Sequence, residues 1–162
     1  MKSFVRSTLT SLALAAALVA APALAKNVTA DLDQVTEILK GAGYKVEMKD
    51  VKGDRFISVD MDDYHFLILP FGCDDKGKAC KSVQFFAAFD PPTSPSLDAM
   101  NLYARDHRWG RVYLDKDNDP AIEFDVDLEQ GGMSPELFLD NVAYWEAIVS
   151  AYSKFIFDKD HK

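Results

Sequence analysis

Residues 109–132 read WGRVYLDKDNDPAIEFDVDLEQGG, and the alternation in this stretch decides the fold. Trp109 to Asp115 and Ala121 to Leu128 each alternate apolar with polar residues, and Lys116-Asp117-Asn118-Asp119-Pro120 between them are turn formers. A period of two puts successive side chains on opposite faces of a sheet, so the segment reads as an antiparallel hairpin closed by Gly131-Gly132. Ile122, Phe124, Val126 and Leu128 then share one face, and Glu123, Asp125, Asp127 and Glu129 share the other. With Val112 and Leu114 opposite Phe124 and Ile122, Arg111 faces Asp125, Tyr113 faces Glu123 and Trp109 faces Asp127.

After the hairpin, Ser134 with Pro135 at the first helical position opens a long helix. Its Phe138, Val142, Trp145, Val149, Tyr152 and Ile156 recur in steps of four and three, an apolar stripe about five turns long. Such a stripe serves a coiled coil or packs on a sheet, and the second use is the commoner.

Before the hairpin, two strongly apolar runs, Tyr64 to Phe71 and Val83 to Phe89, bracket a polar loop with Cys73 and Cys80 at its ends. Paired antiparallel, the runs bring both thiols to the base of the turn, within crosslinking reach, and a disulfide is expected there. For so short a loop the chain-entropy estimate is about 2–3 kcal/mol. There is no Cys-x-x-Cys, and His65 is the one histidine close in sequence, so a redox pair or half of a zinc site has little support.

Further upstream, Asp31 caps a short helix carrying Leu32, Val35, Ile38 and Leu39, which ends at Gly41 or Gly43. Strands follow over Tyr44 to Val51 and Arg55 to Met61. Asp90-Pro91-Pro92-Thr93-Ser94-Pro95 stops the strand beginning at Ser82, and Ser96 caps a second helix with Leu97, Met100, Leu102 and Tyr103 as its expected buried side. The order is helix, four strands, helix, two strands, long helix, an α+β architecture in which three helices pack an antiparallel β-sheet. The runs at Tyr64 to Phe71 and Val83 to Phe89 are apolar on both faces, so both strands should be central and covered on both sides. Three helices cover less than two faces, and a homodimer is expected to bury the rest.

Over 162 residues the chain carries 18 basic and 26 acidic side chains and is 48% hydrophobic. Its opening has Lys2 and Arg6, an apolar run from Leu12 to Ala21, and the small-residue ending Ala23-Leu24-Ala25, the pattern of a secretory signal peptide cleaved after Ala25. Residues 26–162 then form a single domain, periplasmic or secreted, with 16 basic against 26 acidic residues. A balance this acidic opposes nucleic-acid phosphates and anionic lipid, so nucleic acid is not an expected partner, and cleavage after Ala25, with no Cys there to accept a lipid, means that no stable membrane anchor is expected.

Chemistry is sparsely signalled. Asp115, Asp117 and Asp119 resemble the start of a calcium loop, but Pro120 and Val126 occupy the positions that need Gly and Glu, which leaves an Asp-rich solvated turn. No nucleophile elbow, zinc-binding His pair or phosphate-cradling glycine loop is present, and His65, His107 and His161 have no nucleophile spaced to serve them. Catalytic, cofactor and metal residues are therefore not assigned, and the protein is not expected to be an enzyme. The carboxylate-rich hairpin face reads either as a solvated surface or as a docking face for a cationic protein partner, formed by Trp109, Arg111, Tyr113, Glu123, Asp125 and Asp127. A small-ligand sensor with an apolar pocket between the sheet and the C-terminal helix is the competing class.

Asn101-Leu102-Tyr103-Ala104-Arg105, the 109–128 hairpin, Gly131-Gly132-Met133-Ser134 and the Trp145 helix together resemble the YbjN family, described as bacterial sensory transduction regulators. The resemblance runs from about Asp31 to Phe157. It implies a fold similar to type III secretion chaperones, small acidic α+β dimers that bind segments of other proteins, and it supplies no catalytic residues. The expected signal peptide is a departure, since those chaperones hold cargo in the cytoplasm. The intact mass of the protein recovered from cells should correspond to a chain beginning at Lys26; a mass that includes residues 1–25 would refute cleavage.

Overall fold

The computed structural model describes residues 26–158, and the expected signal peptide, residues 1–25, lies outside them. Nine elements follow one another: α1 (Leu32–Gly41), β1 (Lys45–Val51), β2 (Asp54–Asp60), β3 (His65–Phe71), β4 (Ser82–Ala88), α2 (Leu97–Asp106), β5 (Arg111–Leu114), β6 (Pro120–Asp127) and α3 (Pro135–Phe157). The strands form one sheet in the order β1-β2-β3-β4-β6-β5, antiparallel throughout. The α+β architecture read from the sequence is the one the chain adopts.

Local chemistry explains the helix starts. The Asp31 carboxylate accepts from the Asp33 and Gln34 N–H groups at 2.9 and 3.4 Å, and Ser134 Oγ accepts from the Leu137 N–H at 3.2 Å. Each satisfies donors that a helix N-terminus otherwise leaves open. All six stripe residues of α3 are buried, and they meet the sheet rather than another helix of the same kind. The Trp145 ring lies 5.9 Å from both Phe66 and Phe85, and Phe138 lies 6.1 Å from Phe85. Burying aromatic side chains of this size stabilises by roughly 1.5–3 kcal/mol each.

Three expectations are corrected. The first concerns coverage. Phe66, Ile68, Val83, Phe85 and Ala87 belong to the core beneath the helices, whereas Leu67, Leu69 and Phe86 point the other way and lie outside that core. All three helices contribute to the same core, so among the described residues the second face of β3 and β4 has no helix over it.

The second concerns α2, of which only Met100 and Tyr103 are buried while Leu97 and Leu102 are exposed. The helix meets β5 and the last turns of α3, where Tyr103 lies 5.1 Å from Tyr152 and 4.6 Å from Phe155. So narrow a contact needs one strip of side chains, not a broad face.

The third concerns the β5–β6 register. Arg111 stands opposite Glu123, Val112 opposite Ile122, Tyr113 opposite Ala121 and Leu114 opposite Pro120, two residues away from the expected alignment. Trp109 and Gly110 have φ of 63° and 80°, which ends β5 at Arg111. At the other end, Asp115 Oδ1 accepts from the N–H groups of Asp117 and Asp119, both at 2.9 Å, and closes the turn so that Leu114 meets Pro120. A slip of two keeps every side chain on its face and changes only its neighbours.

Cys73 and Cys80 form the expected disulfide, just beyond the Phe71–Ser82 end of the β3–β4 ladder. The segment before α1 is tied down separately: Val28 and Met133 exchange backbone hydrogen bonds of 2.7 and 3.1 Å. This close approach explains Gly132, whose φ is 75° and whose missing Cβ would run into the Val28 carbonyl oxygen. Gly132→Ala should therefore destabilise the protein by about 2 kcal/mol or more, whereas Gly41→Ala, at a helical site with open space, should be neutral or stabilise by about 0.4–1 kcal/mol. Urea midpoints of the two variants check both signs.

Candidate functional site

The sheet face opposite the helices is assembled by register. Ser58, Leu67, Phe86, Glu123 and Arg111 stand in one row across β2, β3, β4, β6 and β5. Beside it run Leu69, Gln84 and Asp125, and then Phe71, Ser82 and Asp127. Phe56 on β2 shares the same face. The apolar side chains on this face are therefore Leu67, Leu69 and Phe71 of β3 with Phe56 of β2 and Phe86 of β4 beside them, Ser58, Gln84 and Ser82 lie among them, and carboxylates occupy β6.

Glu123 organises the polar half. It is only 7% exposed, yet its carboxylate accepts from Arg111 Nη2, from the Tyr113 hydroxyl and, at 3.4 Å, from Gln84 Nε2. A buried carboxylate needs such donors because it has lost its water. Gln84 Nε2 also donates to Asp125 Oδ1 at 2.9 Å, which links the two acids. Burial, followed by the hydrogen bond and charge of Glu123, pushes the Tyr113 phenol up to about 12, and the same carboxylate raises Arg111 above its ordinary value.

The remaining acids are placed differently. Asp125 and Asp127 are exposed, and among the described residues neither forms an ion pair. Asp127 Oδ1 accepts from the Glu129 N–H at 2.9 Å, and Glu129 itself pairs with Lys81 at 2.8 Å. Arg111 thus pairs with Glu123, feels the charge of Asp125 without forming an ion pair with it, and leaves Asp127 to the Glu129 N–H and solvent.

Of the six residues expected to share this face, Arg111, Tyr113, Glu123, Asp125 and Asp127 do so, and Trp109 does not. Its positive φ turns it to the helix side, where its ring lies 6.2 Å from Phe124 and 6.1 Å from Tyr144, with the Arg108 guanidinium 5.2 Å from the ring centre. The sequence reading also missed Gln84, the one amide inside the apolar 83–89 run, and the outward set Phe56, Leu67, Leu69 and Phe86. Parity along each run is the signal that marks them.

The space between α3 and the sheet, where the competing small-ligand reading puts a pocket, is filled by Trp145, Phe66, Phe85 and Phe138. Clefts open elsewhere. One of about 790 Å³ lies at the end of the sheet, lined by Phe56, Leu69, Lys76, Lys78 and the two cysteines; another of about 460 Å³ lies between α2 and α3, lined by Leu102, Tyr103, His107 and Lys154. Among the described residues no group of three His, Cys, Asp or Glu is arranged to hold a metal ion, and no helix is long and apolar enough to cross a membrane.

Burial raises five phenols: Tyr64 above its ordinary value, Tyr44, Tyr103 and Tyr113 to about 12, and Tyr152 further. As pH rises past the ordinary value of 10.0 the unfolded chain loses these protons while the folded protein still holds them. Stability attached to them is complete below pH about 10 and is lost toward pH 12. Urea midpoints should fall across that window, and Tyr113→Phe should make the fall shallower; ultraviolet tyrosinate absorbance, recorded in parallel, should lag that of the unfolded chain.

No curated protein matches the sequence. A family model does match, over residues 31–158, which takes in every element from α1 to α3 and all five residues gathered on the open face. That coverage makes the chain a member of the YbjN family, whose description is "putative bacterial sensory transduction regulator".

Proposed function

We propose that this protein is an exported, non-enzymatic regulatory module that binds another protein on the open face of its sheet. The observation that carries the reading is the uncovered apolar area formed by Phe56, Leu67, Leu69, Phe71 and Phe86, edged by the carboxylates of β6. Contiguous apolar surface with a polar rim is the usual anatomy of a protein interface. Exposed Phe71 and half-buried Leu67 and Leu69 offer their side chains without any rearrangement of the core. The Cys73–Cys80 disulfide suits an oxidising compartment, as does the signal-peptide pattern of residues 1–25. The family description supports a role in sensory transduction, and the expected export is compatible with one in envelope stress.

The cleft between α2 and α3, with Tyr103 and Leu102 in its lining and Lys154 and His107 at hand, supports a second reading in which a small ligand is sensed. Thermal shift with a metabolite library, repeated on Leu102→Asp, tests that reading.

For the leading one, Leu67→Asp places a charge in the middle of the apolar area and leaves the helix-side core untouched. Crosslinking in cells followed by mass spectrometry should recover a partner with the unaltered protein and lose it with this variant, while circular dichroism stays unchanged. Recovery of the same partner by Leu67→Asp refutes docking on the open face. A dimer in solution that Leu67→Asp dissociates would assign the face to a second copy.

A further inference from the structure

The carboxylates beside the apolar area differ in whether their charge is already met. Glu123 is buried and held by Arg111, Tyr113 and Gln84, so its charge is internally compensated. Asp125 and Asp127, on the same strand and face, are exposed and outside every ion pair among the described residues. At the far edge of this face Lys49 is held by Glu47 at 2.6 Å, while Lys45 stands across from Asp60. Lys76 and Lys78, outside every ion pair among the described residues, line the cleft by Phe56 and Leu69 at the loop end, so the uncompensated charge is positive there and negative on the β6 side of Phe86.

We infer that the segment docked on the open face is cationic and amphipathic: its apolar side chains cover Leu67, Leu69 and Phe86, and its lysine or arginine side chains reach Asp125 and Asp127. The inference rests on the docking reading and adds the chemistry of the partner. Leu67 and Leu69 lie on β3, Phe86 on β4 and the two acids on β6, so apolar and acidic ground are about 10 Å apart across two strand spacings. One short segment can span both. An acidic segment would set like charges against each other as it excluded water, and a purely apolar one would strip water from two carboxylates with nothing in return. The excess of 26 acidic over 16 basic residues in 26–162 adds a long-range field that attracts cations and disfavours a second copy of the same chain.

The test uses the chain purified as the cell makes it and two synthetic peptides, one with leucines on one face and two lysines at one end, the other with glutamates for the lysines. Fluorescence anisotropy should show the lysine peptide binding roughly fivefold or more tightly than its twin, with the difference shrinking as salt is added. Asp125→Asn combined with Asp127→Asn keeps the shape and the acceptor to Gln84, and should erase the preference. Equal binding of the two peptides, binding of neither, or a preference that survives the double substitution overturns the inference. So does a dimer that shuts out the lysine peptide. If Leu67→Asp releases the cellular partner while the peptides show no charge preference, docking on the face stands and the cationic chemistry fails. If Leu67→Asp leaves the cellular partner bound, the docking reading itself fails.

Discussion

The packing of the α3 stripe on the central strands is the constraint on which the rest of the structure depends. Trp145 is fully buried between Phe66 on β3 and Phe85 on β4, and Phe138 and Tyr152 extend the same contact along the helix. Tyr152 also donates to the Ala121 carbonyl at 3.2 Å and lies against Tyr103, which brings β6 and α2 into the same core. Near the start of β3, the Tyr64 hydroxyl donates to the Glu146 carbonyl at 3.2 Å and ties the β2–β3 connection to the helix. One helix thus orders elements that are remote from one another in sequence.

Among the described residues, that contact also leaves the other face bare. Strands with a period of two send half of their side chains away from whatever covers them, and here the covering layer is single. Leu67, Leu69 and Phe86 on the bare side are as apolar as Phe66, Ile68 and Phe85 on the covered side. The acids of β6 temper this surface. Glu123 is held in place by Arg111 and Tyr113 from β5, so the short edge strand anchors the polar half of the face as well as ending the sheet.

The ends of the central hairpin are pinned by different means. The Cys73–Cys80 disulfide closes the β3–β4 loop, inside which Asp74 Oδ1 accepts from the N–H groups of Lys76 and Lys78 at 3.0 and 2.8 Å. On β4, Gln84 crosses to the acids of β6. Together these fix which side chains of the apolar runs face outward, and hence the composition of the open face.

Much of this was legible in the sequence because it depends on local chemistry. The element order, the caps at Asp31 and Ser134, the six buried residues of α3, the disulfide and the shared face of Arg111, Tyr113, Glu123, Asp125 and Asp127 follow from periodicity, turn residues and spacing, each set within a few residues. What tertiary structure alone decided is long-range. Strand register turned on the left-handed backbone at Trp109 and Gly110 and on the Asp115 turn, and so did the departure of Trp109 from the acidic face. The one-sided placement of the helices was decided by packing, because a run that is apolar on both faces records that its side chains avoid water without recording what shields each of them.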